Sequence, residues 1–585
     1  MRRFFLALLT LTAFTGADRK KANWAQAAGE HREPGADLVL LHGHIWTGEP
    51  YAGPGQKAAA THWAEALAAL NGRILSIGED REVQPYVGSN TRVIDLGGRF
   101  AMPGFIDDHV HFVEGSFQLL QVNLKLTPNE SEFVRLIGQK AKTLPRGRWI
   151  RGGNWDEEAW PGAKLPTHEL IDSATPDNPV YISRYDGHAG LANALAMKLA
   201  RVNRNTPNPV GGVIVRDANG EPTGVFKDEA QALIERVIPN PREGEFEEAI
   251  RAGLAEARRV GVTTVEDMAL GDETPNGSFT SEIRELHRAE IEGWLTCRFY
   301  ELTPIEQWQR LAQAGLSHAM GSDWLQLGAL KGFADGSLGS RTAWFFDPYT
   351  DDANNRGVPQ PLMSPPSRME EAVRGATAAR LQIAIHAIGD RAVSEMLDIY
   401  AREGGSDPRV HRFRIEHAQH MRPQDFKRFG QLGVVASMQP YHAIDDGRWA
   451  EKRIGHERAR YSYAWRSMLD AGAPLAFGTD WPVAPLNPLL GIYAAVTRAT
   501  LDDKHPGGWF PEQRLTLDEA LRAYTQGSAY GAFAERERGT LATGKLADVI
   551  VLSDDLFKIA PERIRGVTVA ITVVGGRVVY QSGPQ

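Results

Sequence analysis

The chain's 585 residues are 42% hydrophobic and 9% aromatic, which is enough apolar material for a large core and a length that suggests more than one domain. Its 73 acidic against 65 basic side chains give a net charge of −8, and no long basic run interrupts the body of the chain, so nucleic acid is excluded as the expected partner. A small-molecule substrate is the default, with a homodimer left open.

At the N-terminus, Arg2 and Arg3 precede the apolar run Phe4 to Phe14, which is short for a bilayer span. The pattern reads as an export signal over residues 1–27. "RRFFL" resembles the twin-arginine address, and Ala25-Gln26-Ala27 offers a small-residue cleavage site. Sec export and an uncleaved signal anchor are the alternatives. The mature protein is expected in the periplasm, without a stable membrane anchor.

Next come "ADLVLLHGHIWTG", "NGRILSIGE" and "TRVIDLGGRFAMPG", short apolar strands between Gly-rich turns. The far end, "GTLATGKLADVIVLSDD" and "ITVVGGRVVYQSG", has the same character. Residues 36–101 and 536–585 are therefore expected to form one terminal β-sandwich.

Between them, eight segments read as strands: 102–107, 262–267, 295–300, 325–331, 382–386, 413–417, 434–438 and 475–480. From the second onward they alternate with helical patterns such as "EEAIRAGLAEARRV". That alternation predicts an α/β fold, a (β/α)8 TIM barrel spanning residues 102–117 and 242–535. The long gap after the first strand predicts an inserted subdomain, residues 118–241, beside the barrel mouth. The lone cysteine, Cys297, lies in "WLTCRFY" and reads as an inert core thiol.

Polar residues recur where these apolar strands end. His109 and His111 in "AMPGFIDDHVH" are two apart, so on a strand they share a face and can approach one ion. Lys331, His386, His417 and Asp480 follow in chain order on strands four, five, six and eight, where barrels of this kind gather their chemistry. His42 and His44 make a similar pair in the terminal β unit, but no partners follow them, and they read as structural.

The motifs "PGFIDDHVH", "KGFADGSLGSRTA", "IHAIGD", "RIEHAQ", "GTDWPV" and "GKLADVIVL" resemble those of the amidohydrolase superfamily, specifically its amidohydrolase-3 (YtcJ-like) group, which includes N-substituted formamide deformylases. The resemblance spans nearly the whole chain after the signal. It implies one metal held by His109, His111 and Asp480 and a second by His386 and His417, with Lys331 carboxylated to bridge them. Two zinc ions are the expected cofactors, although an N/O ligand set does not by itself name the metal. Lys331 can ligate only if neutral or carboxylated, because an ammonium has no lone pair. Pairing with Asp335 or with a substrate carboxylate is its alternative.

A divalent ion makes hydroxide available at neutral pH, and Asp480 is placed to take the water proton and pass it to the leaving nitrogen. The expected reaction is hydrolysis of a non-peptide C–N bond in an amide or N-substituted formamide. Ester or cyclic amide hydrolysis, or a binding protein with lapsed catalysis, are the alternatives. "RYDGHAGLANAL" resembles a family segment whose histidine reaches the site, which makes His188 a catalytic candidate. Trp155, Phe333, Arg341, Tyr441 and Trp481 join His188 as candidate substrate contacts on loops expected at the mouth.

Overall fold

The computed structural model describes residues 35–583, apart from 51–52, 54–59, 126, 158–159, 163, 185–188, 210–211, 229 and 269–277. The expected signal segment and His188 lie outside the described residues. Among the described residues, no helix is long and apolar enough to cross a membrane.

Eight strands build the centre: β1 (Phe105–Val110), β2 (Val262–Met268), β3 (Arg298–Pro304), β4 (Leu325–Phe333), β5 (Ile383–Ala387), β6 (Arg414–His417), β7 (Val435–Met438) and β8 (Leu475–Phe477). Each pairs in parallel with the next along the chain. Parallel strands covered by helices are buried on both faces, and β1, β2, β6, β7 and β8 are buried at every position. The ring is nearly closed by the residues after β8. Thr479 N–H donates to the Asp107 carboxylate at 2.7 Å, Asp480 N–H to His109 O at 2.7 Å, and His111 N–H to Trp481 O at 2.7 Å. The (β/α)8 barrel read from the alternating pattern is the observed fold.

The first barrel strand differs from its sequence reading. The apolar run around Gly104 reads as one strand, but it is two. Phe100–Pro103 pairs with Val549–Leu552 and with His44–Trp46 in a terminal sheet, and only after Gly104 does the chain enter the barrel. Gly104 permits this crossing because a Cβ there would lie 2.3 Å from the Thr263 side chain on the neighbouring strand. At the other end of the ring, Leu475–Asp480 stops being strand at Phe477, where the chain bends toward β1.

Two terminal sheets lie outside the barrel. One contains Arg73–Gly78, Ala66–Leu70, Leu38–Leu41 and Arg92–Asp95; the other contains Arg577–Gln581, Val569–Val574, Val549–Leu552, Phe100–Pro103, His44–Trp46 and Trp63–Ala64. Leu38, Leu67, Ile74, Val549 and Ile571 share one core between them. Between β1 and β2, a six-stranded sheet with Val122–Asn123 at one edge and Gly212–Arg216 at the other carries its own core, which includes Phe133, Trp155, Trp160 and Ile182.

Candidate metal centre

The C-terminal ends of β1, β4, β5, β6 and β8 converge. His109 is fully buried near the end of β1, and His111 follows just beyond it with a partly exposed side chain. Their Nε2 atoms lie 3.6 and 3.5 Å from the same oxygen, Asp480 Oδ1. Lys331 Nζ is 3.5 Å from His109 Nε2. The His417 ring stands 4.6 Å from that of His109 and 4.5 Å from that of His386, centroid to centroid. The six residues singled out along 372 positions of chain thus meet at one mouth. His417 and Asp480 hold left-handed backbone angles, φ 73° and 59°, a strain of roughly 1–3 kcal/mol each that persists where surrounding structure enforces it.

Hydrogen bonds set which ring nitrogen faces inward. His109 Nδ1–H donates to Glu416 Oε2 at 2.5 Å, and His417 Nδ1–H donates to Gln439 Oε1 at 2.8 Å, leaving both Nε2 atoms bare. His386 is turned the other way: its Nε2–H donates to Gly336 O at 3.1 Å, leaving Nδ1 bare. Burial first, and then the Lys331 charge, push His111 and His386 down to about 3. Burial likewise holds His109 and His417 well below the usual imidazole range. All four rings are therefore neutral, as ligation requires.

Burial lowers the Lys331 ammonium from its ordinary range and raises the Asp480 carboxyl, with each opposing the other's shift through its charge. Asp480 Oδ1 and the nearby His442 Nε2 are buried and have no hydrogen-bond partner among the described residues. Such orphaned atoms cost roughly 1–3 kcal/mol each if left bare. Nε2–Oδ separations of 3.5–3.6 Å are long for hydrogen bonds but match the edge of a tetrahedron, about 3.3–3.5 Å for ligands bound at the usual zinc distances. His109, His111 and Asp480 form one group whose ligand atoms lie within 4.8 Å of one another; His417, His442 and Asp480 form another. The residues present fit a divalent ion.

A family model described as the amidohydrolase family matches residues 92–580. The chain belongs to the amidohydrolase family. The Arabidopsis thaliana protein LONG AFTER FAR-RED 3 is 37% identical over 553 residues, covering 93% of this chain and 92% of the relative. The N-substituted formamide deformylase of Arthrobacter pascens is 27% identical over 565 residues, covering 93% and 98%. The crystal structure of an uncharacterized metal-dependent hydrolase from Pyrococcus furiosus superimposes with a TM-score of 0.72 at 28% identity, covering 88% of this chain and 99% of that one. This amidohydrolase therefore sits among metal-dependent hydrolases.

Several expected contacts of the amidohydrolase fall elsewhere. Trp155 is fully buried in the core of the inserted sheet and donates its indole N–H to Ile182 O at 3.1 Å, which removes it from substrate contact. Trp481 is also buried, packed over Gly115, where a Cβ would come within 2.5 Å of the indole, so it shapes the wall of the site from behind. The Arg341 guanidinium is spent on Asp351, with bonds of 3.3 and 3.0 Å. Phe333 is a large apolar side chain left exposed beside the site, its ring 5.1 Å from Lys331 Nζ. Tyr441 is half-buried against the main core. The alternative Lys331 partner, Asp335, is occupied by the backbone N–H groups of Trp344, Ile388 and Gly389 at 2.7–2.9 Å.

Sequence reasoning missed Glu416, Arg414, Glu266 and His442. Arg414 Nε donates to Glu416 Oε1 at 2.8 Å, its Nη1 to Glu266 Oε2, and its Nη2 to Asp108 O at 2.8 Å; all four residues are fully buried. Ser437 Oγ–H donates to Glu416 Oε2 at 2.5 Å. This cluster fixes the carboxylate that orients His109. The signal was present in "RIEH", where Arg414 and Glu416 are two apart and so share a face.

His42 and His44 are engaged far from this centre, His42 with Asp95 at 3.0 Å and His44 with Asp555 at 2.7 Å. Replacing both by Ala is expected to leave metal content and turnover nearly intact, whereas His109→Ala or His111→Ala removes both. Elemental analysis beside an activity assay checks the ranking, and the reverse order contradicts it.

Proposed function

We propose that this amidohydrolase hydrolyses a non-peptide C–N bond, an amide or N-substituted formamide with a fairly apolar substituent, using two zinc ions. The observation that carries the reading is Asp480: a buried carboxylate whose Oδ1 faces the Nε2 atoms of His109 and His111 at 3.6 and 3.5 Å without a hydrogen-bond partner among the described residues. The similarity to a formamide deformylase supports the bond class. Exposed Phe333 supports an apolar substituent.

His109, His111, His386, His417 and Asp480 would hold the metal, which when bound lowers the pKa of water and polarises a carbonyl. Glu416 keeps the His109 Nε2 lone pair aimed inward. Asp480 takes the proton of the attacking water as the C–O bond forms, then delivers it to the nitrogen as the C–N bond breaks.

In this reading Lys331 is carboxylated. Burial enlarges the neutral fraction of its amine relative to an exposed lysine, and the neutral amine adds to CO2 with formation of an N–C bond and loss of one proton, yielding a carbamate able to bridge two ions. Lys331→Ala should lose metal and rate together, and propionate added in solution should restore part of both. A variant that keeps its full metal content marks Lys331 as a substrate clamp instead. The function itself is tested by offering the protein, purified without chelator, a panel of N-substituted formamides, linear amides, cyclic amides and esters. Turnover of formamides or linear amides supports the proposal; turnover confined to esters or cyclic amides, or none at all in metal-replete protein, overturns it.

A further inference from the structure

His442 stands in none of the motifs that place the other ligands, and the resemblance assigns the second ion to His386 and His417. It lies in the helix Pro440–Asp446 that begins just after β7, one strand beyond His417. The side chain is buried, and Nε2 has no hydrogen-bond partner among the described residues. That atom stands 3.6 Å from Asp480 Oδ2, the oxygen opposite the one facing His109 and His111. The His442 ring lies nearly parallel to that of His417, 6.3 Å away, and the ligand atoms of His417, His442 and Asp480 all lie within 4.8 Å of one another.

We infer that His442 is a metal ligand, completing with His417 and Asp480 the site of the second ion, so that Asp480 offers one oxygen to each ion. The donor chemistry agrees: two imidazoles and a carboxylate are a zinc-type ligand set. The separation also agrees, because 3.6 Å is long for a hydrogen bond and close to a ligand–ligand edge. At the far side of the ring, His442 Nδ1 is 3.3 Å from the side-chain amide nitrogen of Gln419. Ligation through Nε2 requires that amide turned by a half-turn, so that its oxygen accepts from Nδ1–H as the Gln439 oxygen does from His417. His386, whose Nε2 is committed to Gly336 O, belongs to neither three-residue group. Its bare Nδ1 would supplement the second site and does not define it.

The inference rests on the metal-dependent reading, and the test separates the two. Full-length wild type, His109→Ala, His442→Ala and the bulkier His442→Gln are purified without chelator and loaded with Zn2+. Zinc per chain, chelator competition and circular dichroism are then compared, together with the visible absorption of Co2+-loaded samples. The His442 variants should lose one ion per chain relative to wild type, or hold it at least about tenfold more weakly, with an altered Co2+ spectrum and unchanged far-ultraviolet dichroism. If His442→Ala fails to fold, His442→Gln supplies the same comparison. If His109→Ala sheds metal while both His442 variants keep wild-type content, competition and spectrum, His442 is no ligand and the inference fails alone. Wild type that takes up no ion fails both readings together.

Discussion

Asp480→Ala is expected to lower kcat/KM on any productive amide by about 10²–10⁴-fold and to release metal as well. Two facts set the size. Asp480 Oδ1 faces both histidines of the first pair, and its second oxygen faces His442. Asp480→Asn separates the roles. The amide keeps an oxygen for ligation of one ion but cannot accept the water proton, so at least one ion per chain should remain while turnover falls as far as in the alanine variant. Parallel metal analysis and steady-state kinetics read this out. An asparagine variant that keeps both its metal and more than about a tenth of the wild-type rate contradicts the assignment of Asp480 as proton carrier.

Arg414→Ala is expected to destabilise the fold by about 3–5 kcal/mol, the usual effect of stripping one partner from a buried ion cluster. Arg414 sits inside the barrel wall against Glu266 and Glu416, all fully buried, with the Asp108 carboxylate 3.8 Å away. Burial acts to raise Glu416, but Arg414 and then Lys331 outweigh it and hold that carboxyl below its ordinary range. Without the guanidinium, carboxylates that face one another across the barrel must protonate or swell the core. Urea denaturation measures the loss. The triple change Arg414→Met, Glu266→Gln and Glu416→Gln should recover part of it, because it removes the guanidinium together with the two carboxylates bonded to it. It should still bind metal weakly, since His109 loses its carboxylate partner. A stability within about 1 kcal/mol of wild type for Arg414→Ala shows that the cluster carries little of the fold's free energy.

The parts of this centre legible in the sequence are those where chemistry interrupts a pattern. His386 and Asp480 each follow an apolar run that stops, His417 closes the short strand segment "FRIEH", and a barrel places such residues at the mouth. Strand phase was less legible, because "RFAMPGFIDD" is apolar across two different sheets and only the close approach of Gly104 to Thr263 marks the crossing. Arg414, Glu416 and Glu266 read as ordinary charged residues, since their satisfaction depends on neighbours across the barrel that no local pattern reveals. Trp155 misled in the opposite sense. Its glycine-rich, acidic flanks suggest an exposed loop, but the chain there forms the edge-to-core strand Gly152–Trp155 and buries the indole. His442 lies only four residues beyond β7, and its geometry becomes informative once Asp480 is placed opposite it.

The most direct test of a metal-dependent hydrolase centred on these residues is anomalous X-ray diffraction, recorded on either side of the zinc edge, from crystals of enzyme purified without chelator and active on an amide. The expected result is anomalous density within about 2.0–2.3 Å of the Nε2 atoms of His109 and His111 and of Asp480 Oδ1, with a second peak beside His417 and His442. Active crystals with no anomalous density at these ligand atoms, at the zinc edge or at the edges of other transition metals, would contradict it.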